Sequence, residues 1–259
     1  MNYENVVIET GKDFVASITL NRPQNLNTFN TQLAVELNSA LKELDAEKGA
    51  RVIILKGNGK AFCAGIDVSD FFGKDVMAYQ KWIECMEQPL VTMSTMKKPV
   101  IAQVHGVATA NGAGLVGAAD LAIAAENARI GLTAINVGLN CIGPVVPVAR
   151  SIGRKRALEM LFYGDLFPAQ EALKMGLINR VVPEADLEKE TRKWAAVLAQ
   201  KSPIALQIAK KAFYAAEDMD YKTAFEYMNE AFARLCSTKD AAAGIRAFLE
   251  KKAPEWKEE

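Results

Sequence analysis

Two short loops rich in small residues carry the chemistry this sequence is equipped to do. The first is Ala61-Phe62-Cys63-Ala64-Gly65-Ile66-Asp67, and the second is His105-Gly106-Val107-Ala108-Thr109-Ala110-Asn111-Gly112. Each follows an apolar run that reads as a buried strand, residues 52–55 and 100–104. Small side chains let backbone N–H groups approach a ligand closely. The second loop also opens a helix, whose free amides and dipole favour negative charge. Side by side, the two loops would form an oxyanion hole that stabilises charge developing on a carbonyl oxygen. Taken singly, either loop is better explained by tight packing.

The segment Gly112-Ala113-Gly114-Leu115-Val116-Gly117 also matches the dinucleotide fingerprint G-x-G-x-x-G. Three features argue against that site. Residues 105–111 separate the glycines from their strand, the helix 112–119 is too short for a crossover, and Glu126 comes too early for the ribose contact.

The elements that must position the loops alternate. Residues 6–8 and 14–20 read as strands about the turn Gly11-Lys12-Asp13, and Asn21-Arg22-Pro23 ends the second. Leu33, Leu37, Leu41 and Leu44 recur at helical spacing, which predicts a helix over 31–47. A second helix is expected over 75–96, with a break or kink at Pro89. Strand 99–104, short helix 112–119 and strand 121–125 follow. This order predicts an α/β core with much parallel pairing. From residue 186 only helices are expected, with Ser202-Pro203 and Ser237-Thr238-Lys239-Asp240 as start signals. The division is an α/β body over 1–183 and a helical region over 184–259, which packs either on a partner subunit or on its own core.

Composition narrows the partners. Lys plus Arg and Asp plus Glu each number 31, so no nucleic-acid footprint exists, although a local basic cluster could hold a cofactor phosphate. Cys63, Cys85, Cys141 and Cys236 form no C-x-x-C pair, so neither a disulfide scaffold nor a zinc or other metal site is expected, and a reducing cytoplasm fits. Residues 1–9 carry acids and no apolar run, so no signal peptide is expected, and no run is long enough to span a membrane.

Along nearly its whole length the sequence resembles the crotonase, or enoyl-CoA hydratase/isomerase, superfamily. The resemblance rests on Asn21-Arg22-Pro23 with Asn27, on Phe62-Cys63-Ala64-Gly65-Ile66-Asp67, on Gly164-Asp165, on Ala169-Gln170-Glu171-Ala172, on Gly176-Leu177-Ile178, and on a closing helix over 240–252. It implies a spiral of β-β-α turns with a C-terminal helical trimerisation region, assembled as a homotrimer or dimer of trimers. It implies an acyl-CoA thioester as substrate and no permanently bound cofactor, coenzyme A arriving as part of the substrate. Carried over by position, the oxyanion N–H groups are those of Ile66 and Asn111, beside Gly65 and Gly112. Ala64, Asp67 and Val68 would line the acyl-CoA path, with Gln24, Asn25 and Leu26 nearby. Phe248 and Lys251 match positions that hold the nucleotide end of CoA, often from a neighbouring subunit. Arg22, Lys251 and Lys252 would offer charge to its phosphates, although by residue type each reads as a solvated surface residue.

The pattern breaks at two places. Hydratases of the family use two glutamates to place a water and move a proton. Their positions here are Gly114 and Ala134, so ordinary hydration by that dyad is not expected. The loop 137–144 lies where some relatives place a third acid, and offers Asn140 and Cys141. Cys141 would be a nucleophile if its thiolate were stabilised, but a small apolar pocket residue is the commoner role. Asn140 would orient a water or carbonyl, or build the turn. Asp67 and Asp70 are the acids nearest the first loop, Asp67 reading as a helix cap, and His105, the single histidine, reads as a turn residue. Phe71, Phe72, Met77 and Trp82 read as a pocket wall or as plain core. Asn136-Val137-Gly138-Leu139 with Cys141, and residues 157–162, look most like the divergent branch called enoyl-CoA hydratase domain-containing proteins. Three readings follow: an acyl-CoA-processing enzyme working through a thioester enolate, a non-catalytic acyl-CoA binder, or a thioester hydrolase.

Overall fold

A computed structural model describes residues 3–258, and the side chain of Asp70 lies outside the described part. The chain opens with a hairpin. β1 (Val6–Thr10) and β2 (Val15–Leu20) pair antiparallel with Val6 opposite Leu20. α1 (Thr31–Ala46) starts where the Asn30 side chain accepts the Leu33 N–H at 2.9 Å, and it buries Leu33, Leu37, Leu41 and Leu44. β3 (Val52–Gly57) then lies parallel to β2.

α2 (Val76–Thr95) is capped by Asp75 and packs along α1. Of the break or kink expected at Pro89, the break does not occur: the helix is continuous through it. Pro89 removes one helical donor, but Met86, Leu90 and Met93 are buried on either side of it, and that packing holds the helix together.

β4 (Val100–Val104), β6 (Leu121–Ala125) and β9 (Arg180–Val182) complete a six-stranded sheet in the order β1-β2-β3-β4-β6-β9, parallel from β2 onward. A second sheet is built from β5 (Val107–Thr109), β7 (Arg129–Gly131) and β8 (Phe167–Pro168). β4 leads into β5 and β6 into β7 after short turns, so the chain steps from the large sheet to the small one and then into a helix. α3 (Asn111–Ala118) follows β5, and α4 (Val145–Tyr163) follows β7 by way of a 3-10 segment. This is the crotonase-like spiral of β-β-α turns. The small sheet escaped the sequence reading because its strands are too short to show a period of two.

α5 (Ala169–Met175) precedes β9, after which the described chain contains helices only: α6 (Leu187–Ala199), α7 (Pro203–Ala216), α8 (Tyr221–Cys236) and α9 (Lys239–Leu249). α6 lies across β2, β3, β4 and β6 and so covers the large sheet, whereas α7, α8 and α9 pack chiefly on one another.

Candidate active site

The two glycine loops lie against each other. The Cys63 N–H donates to the Val107 carbonyl at 3.1 Å, and the Thr109 N–H donates back to the Cys63 carbonyl at 2.9 Å. β5 therefore pairs with the first loop on one side and with β7 on the other. The first loop is also tied to the N-terminal segment, where Phe29 N–H donates to Gly65 O at 2.7 Å and Asp67 N–H to Phe29 O at 2.9 Å. In a parallel bridge these bonds use the neighbours of the bridged residue, so the N–H and C=O of Ile66 point away from Phe29. Asn111 is the first residue of α3, where N–H groups have no helical partner. Among the described residues, no other backbone carbonyl takes up the N–H of Ile66 or Asn111.

Glycine is demanded by this arrangement. Gly65 has φ +97, and a Cβ there would sit 3.2 Å from Ala110 Cβ. At Gly112 a Cβ would overlap the Cys63 carbonyl oxygen. Ala110, between them, is held at φ 48 and ψ −111. That strained backbone, costing of order 1–3 kcal/mol, turns the chain so that α3 begins at Asn111.

Ile66 and Asn111 line one cavity of about 560 Å³. Its other walls are largely apolar, drawn from Phe71, Trp82, Ile83 and Met86 in and before α2 and from Leu139, Ile142, Pro144 and Val146 at and before the start of α4. Phe71 and Trp82 stand at 6.2 Å between ring centroids, and Trp82 Nε1 donates to Thr31 Oγ1 at 3.1 Å. Phe72 and Met77 are instead exposed to solvent and are neither wall nor core.

The remaining expected residues divide. Ala134, Asn140 and Cys141 line the cavity. Asn140 Oδ1 accepts the Cys141 N–H at 2.8 Å, which occupies it in its own turn. Burial pushes the Cys141 thiol up, which opposes thiolate chemistry. Gly114 is buried in α3 behind Pro144. Gln24, Asn25 and Leu26 form an exposed turn, joined to the first loop where Ala64 N–H donates to Leu26 O at 3.0 Å. Val68 is exposed, as are Phe248 at the end of α9 and Lys251 beyond it, and none of these three lines the cavity.

Asp67 caps the 3-10 turn that follows by accepting from Ser69 N at 3.2 Å and Ser69 Oγ at 2.7 Å, and it pairs with Arg22 Nη2 at 2.8 Å. The Ser69 and Arg22 bonds hold its carboxyl below the usual range. Arg22 also donates to the Thr28 carbonyl, and its side chain is only 11% exposed. Its charge is spent inside the loop, and it is not the solvated residue its type implied. His105 Nε2 meets the Gly59 carbonyl at 3.0 Å in the turn before β5 and lies outside the cavity.

One group in the cavity was missed by the sequence reading. Glu87, on α2, is the only carboxylate among the described residues that line it. Burial alone raises its pKa. The signal for it is weak: it falls four residues after Ile83 and one after Met86, beside Glu84, and looks like an ordinary charge on an amphipathic helix.

Comparison with known proteins agrees with this architecture. The sequence profile of enoyl-CoA hydratase/isomerase matches residues 10–259. The chain belongs to the enoyl-CoA hydratase/isomerase family. A probable enoyl-CoA hydratase of Mycobacterium tuberculosis is 34% identical over 257 residues, covering 99% of both chains. The mitochondrial enoyl-CoA hydratase domain-containing protein 3 of Rattus norvegicus is 32% identical, covering 95% of this chain and 82% of that one. Among solved structures, an enoyl-CoA hydratase of Mycobacterium smegmatis superposes with a TM-score of 0.94 at 34% identity, covering 98% of this chain and 99% of that one. The human enoyl-CoA hydratase domain-containing protein 3 does so with a TM-score of 0.93 at 33% identity, covering 98% and 100%. No described helix is long and apolar enough to cross a membrane.

Proposed function

We propose that this chain binds an acyl-CoA thioester and holds its carbonyl oxygen, as charge builds toward an enolate, between the N–H groups of Ile66 and Asn111. The observation that carries the reading is the lacing of the two loops, which leaves both N–H groups free of backbone partners on residues lining one apolar cavity. Two donors aimed at a developing oxyanion in a water-poor site contribute several kcal/mol, on the order of 10²–10³ in rate for each. No resident cofactor is needed, since coenzyme A arrives with the acyl group. The raised Cys141 thiol speaks against thioester hydrolysis through that residue.

The reading extends to assembly. Tyr221, Phe225 and Phe232 on α8, and Ile245, Phe248 and Leu249 on α9, are large apolar residues left exposed. Such a surface suits packing on further copies of the chain, as a homotrimer or dimer of trimers. The four free cysteines suit a reducing compartment such as the cytoplasm.

The test is a panel of purified CoA esters, saturated, α,β-enoyl, β,γ-enoyl and malonyl-type, read by thermal shift and product mass. Stabilisation by esters carrying an apolar acyl chain, with turnover of one class, is the expected result. Stabilisation without turnover would favour the non-catalytic binder, and no stabilisation by any ester would overturn the reading.

A further inference from the structure

A hole for an oxyanion does not by itself move a proton, and Gly114 and Ala134 cannot do so. The packing around Gly114 shows where the missing group went. A Cβ at Gly114 would lie 2.9 Å from Pro144 Cβ and 3.5 Å from Leu90 Cδ1, so the space a side chain would leave by is filled. The residue beside that proline is Gly143, where a Cβ would overlap the Glu87 carboxylate. Gly143 is not among the positive-φ glycines, so its backbone does not require glycine; the carboxylate uses the room. One short segment thus closes position 114 to a side chain from α3 and admits a carboxylate from α2. Glu87 faces the same cavity as Ile66 and Asn111, and no described residue gives it a hydrogen bond or an ion pair.

We infer that Glu87 is the catalytic acid–base residue of this site, taking the proton from the α carbon of the bound thioester. The inference rests on the acyl-CoA reading above. The C–H electrons pass into the thioester carbonyl, whose oxygen takes the negative charge between the two N–H groups, and Glu87 becomes a neutral acid. It then returns the proton, either to the α carbon or, when the acyl chain carries a β,γ double bond, to the γ carbon. In the second case the double bond moves to the α,β position and the carboxylate is regenerated. A single carboxylate suffices for this shift, whereas hydration by the usual dyad needs two. The cavity wall fits an apolar acyl chain. Glu87 also lines a second cavity, of about 450 Å³, through which its proton can exchange with solvent.

A carboxyl raised by burial is poised for proton exchange closer to neutrality. The titratable or charged groups sharing its two cavities are Cys141, Asp120, Arg150, Tyr214 and Glu217, with Glu84 one turn earlier on α2. None of them contributes to the rise.

The experiment measures deuterium uptake at the α carbon of hexanoyl-CoA in heavy water, and conversion of β,γ-hexenoyl-CoA, with thermal shift by hexanoyl-CoA read in parallel. Wild-type protein is expected to exchange the α hydrogens at a rate that rises with pH through one ionisation. Glu87→Gln should lose at least about 10²-fold in exchange and lose that pH limb, while its thermal shift is unchanged; Glu87→Asp should keep part of the rate and the limb. Exchange by Glu87→Gln at the wild-type rate, or binding by the wild type without any exchange, would overturn the role of Glu87 and leave thioester binding standing. Absence of a thermal shift in the wild type would instead overturn the acyl-CoA reading itself.

Discussion

Among the described residues, the Glu87 carboxyl is the one group whose environment opposes its neutral-pH charge without compensation: burial raises its pKa, and no partner lowers it. A folded-state pKa above the unfolded one means that folding is favoured while the group is protonated and loses that benefit as pH rises through the folded value. Glu87→Gln should therefore be more stable than the wild type at neutral pH, by less than about 1 kcal/mol because solvent still screens the half-exposed group. The gain should fade as pH falls through the ordinary carboxylate range. Paired unfolding curves at neutral and acid pH check this; a variant less stable than wild type at neutral pH would mean that Glu87 has a stabilising partner. Such a cost at a carboxylate is what a functional site tolerates. At this scale the sequence was informative about the two small-residue loops, because Gly65 and Gly112 stand where only glycine fits. It was silent about Glu87, because what distinguishes it from Glu84 is the Gly143 backbone lying 56 residues further along, a contact that no local pattern encodes.

At the scale of elements, the apolar runs announced every strand of the large sheet but β9, and the leucine spacing announced α1 within one residue of its observed end. The short strands β5, β7 and β8 were not announced, although β5 is what delivers Asn111. Their identity comes from pairing with distant segments rather than from their own composition. The seam between the sheet and the last helices depends on Asp120, which accepts from Val100 N at 2.7 Å, Lys210 Nζ at 2.7 Å and Tyr214 OH at 3.1 Å. Burial of the pair lowers the Lys210 pKa, and the bond to Asp120 opposes that loss. Lys210→Met would strand a buried carboxylate and should cost about 3 kcal/mol, the low end for a broken buried pair because Val100 and Tyr214 remain. Urea unfolding checks this, and a variant within about 0.5 kcal/mol of wild type would show that α7 is held by apolar contacts alone.

For the whole molecule, the exposed aromatic face of α8 and α9 is the feature a monomer would least tolerate. Tyr221 and Phe225 pack as a tilted pair at 5.0 Å between centroids, and Phe225 and Phe232 lie two turns apart on the same helix face. Phe225→Asp should lower the mass measured by light scattering toward that of one chain. An unchanged mass would show that this face joins no second copy of the chain. The sequence foretold a helical region after the α/β body, yet α6 covers the sheet and only α7 to α9 form a separate layer.

Polarisation of a thioester carbonyl by the Ile66 and Asn111 N–H groups must be read directly, because backbone donors cannot be deleted by side-chain substitution. Isotope-edited infrared spectroscopy of bound hexanoyl-CoA, labelled at the thioester carbon, reads that polarisation at the bond itself. The carbonyl stretch should shift to lower frequency on binding, and the shift should be lost in Gly112→Val, whose side chain would collide with the Cys63 carbonyl. A bound ester whose carbonyl stretch stays where it lies in water would contradict that polarisation.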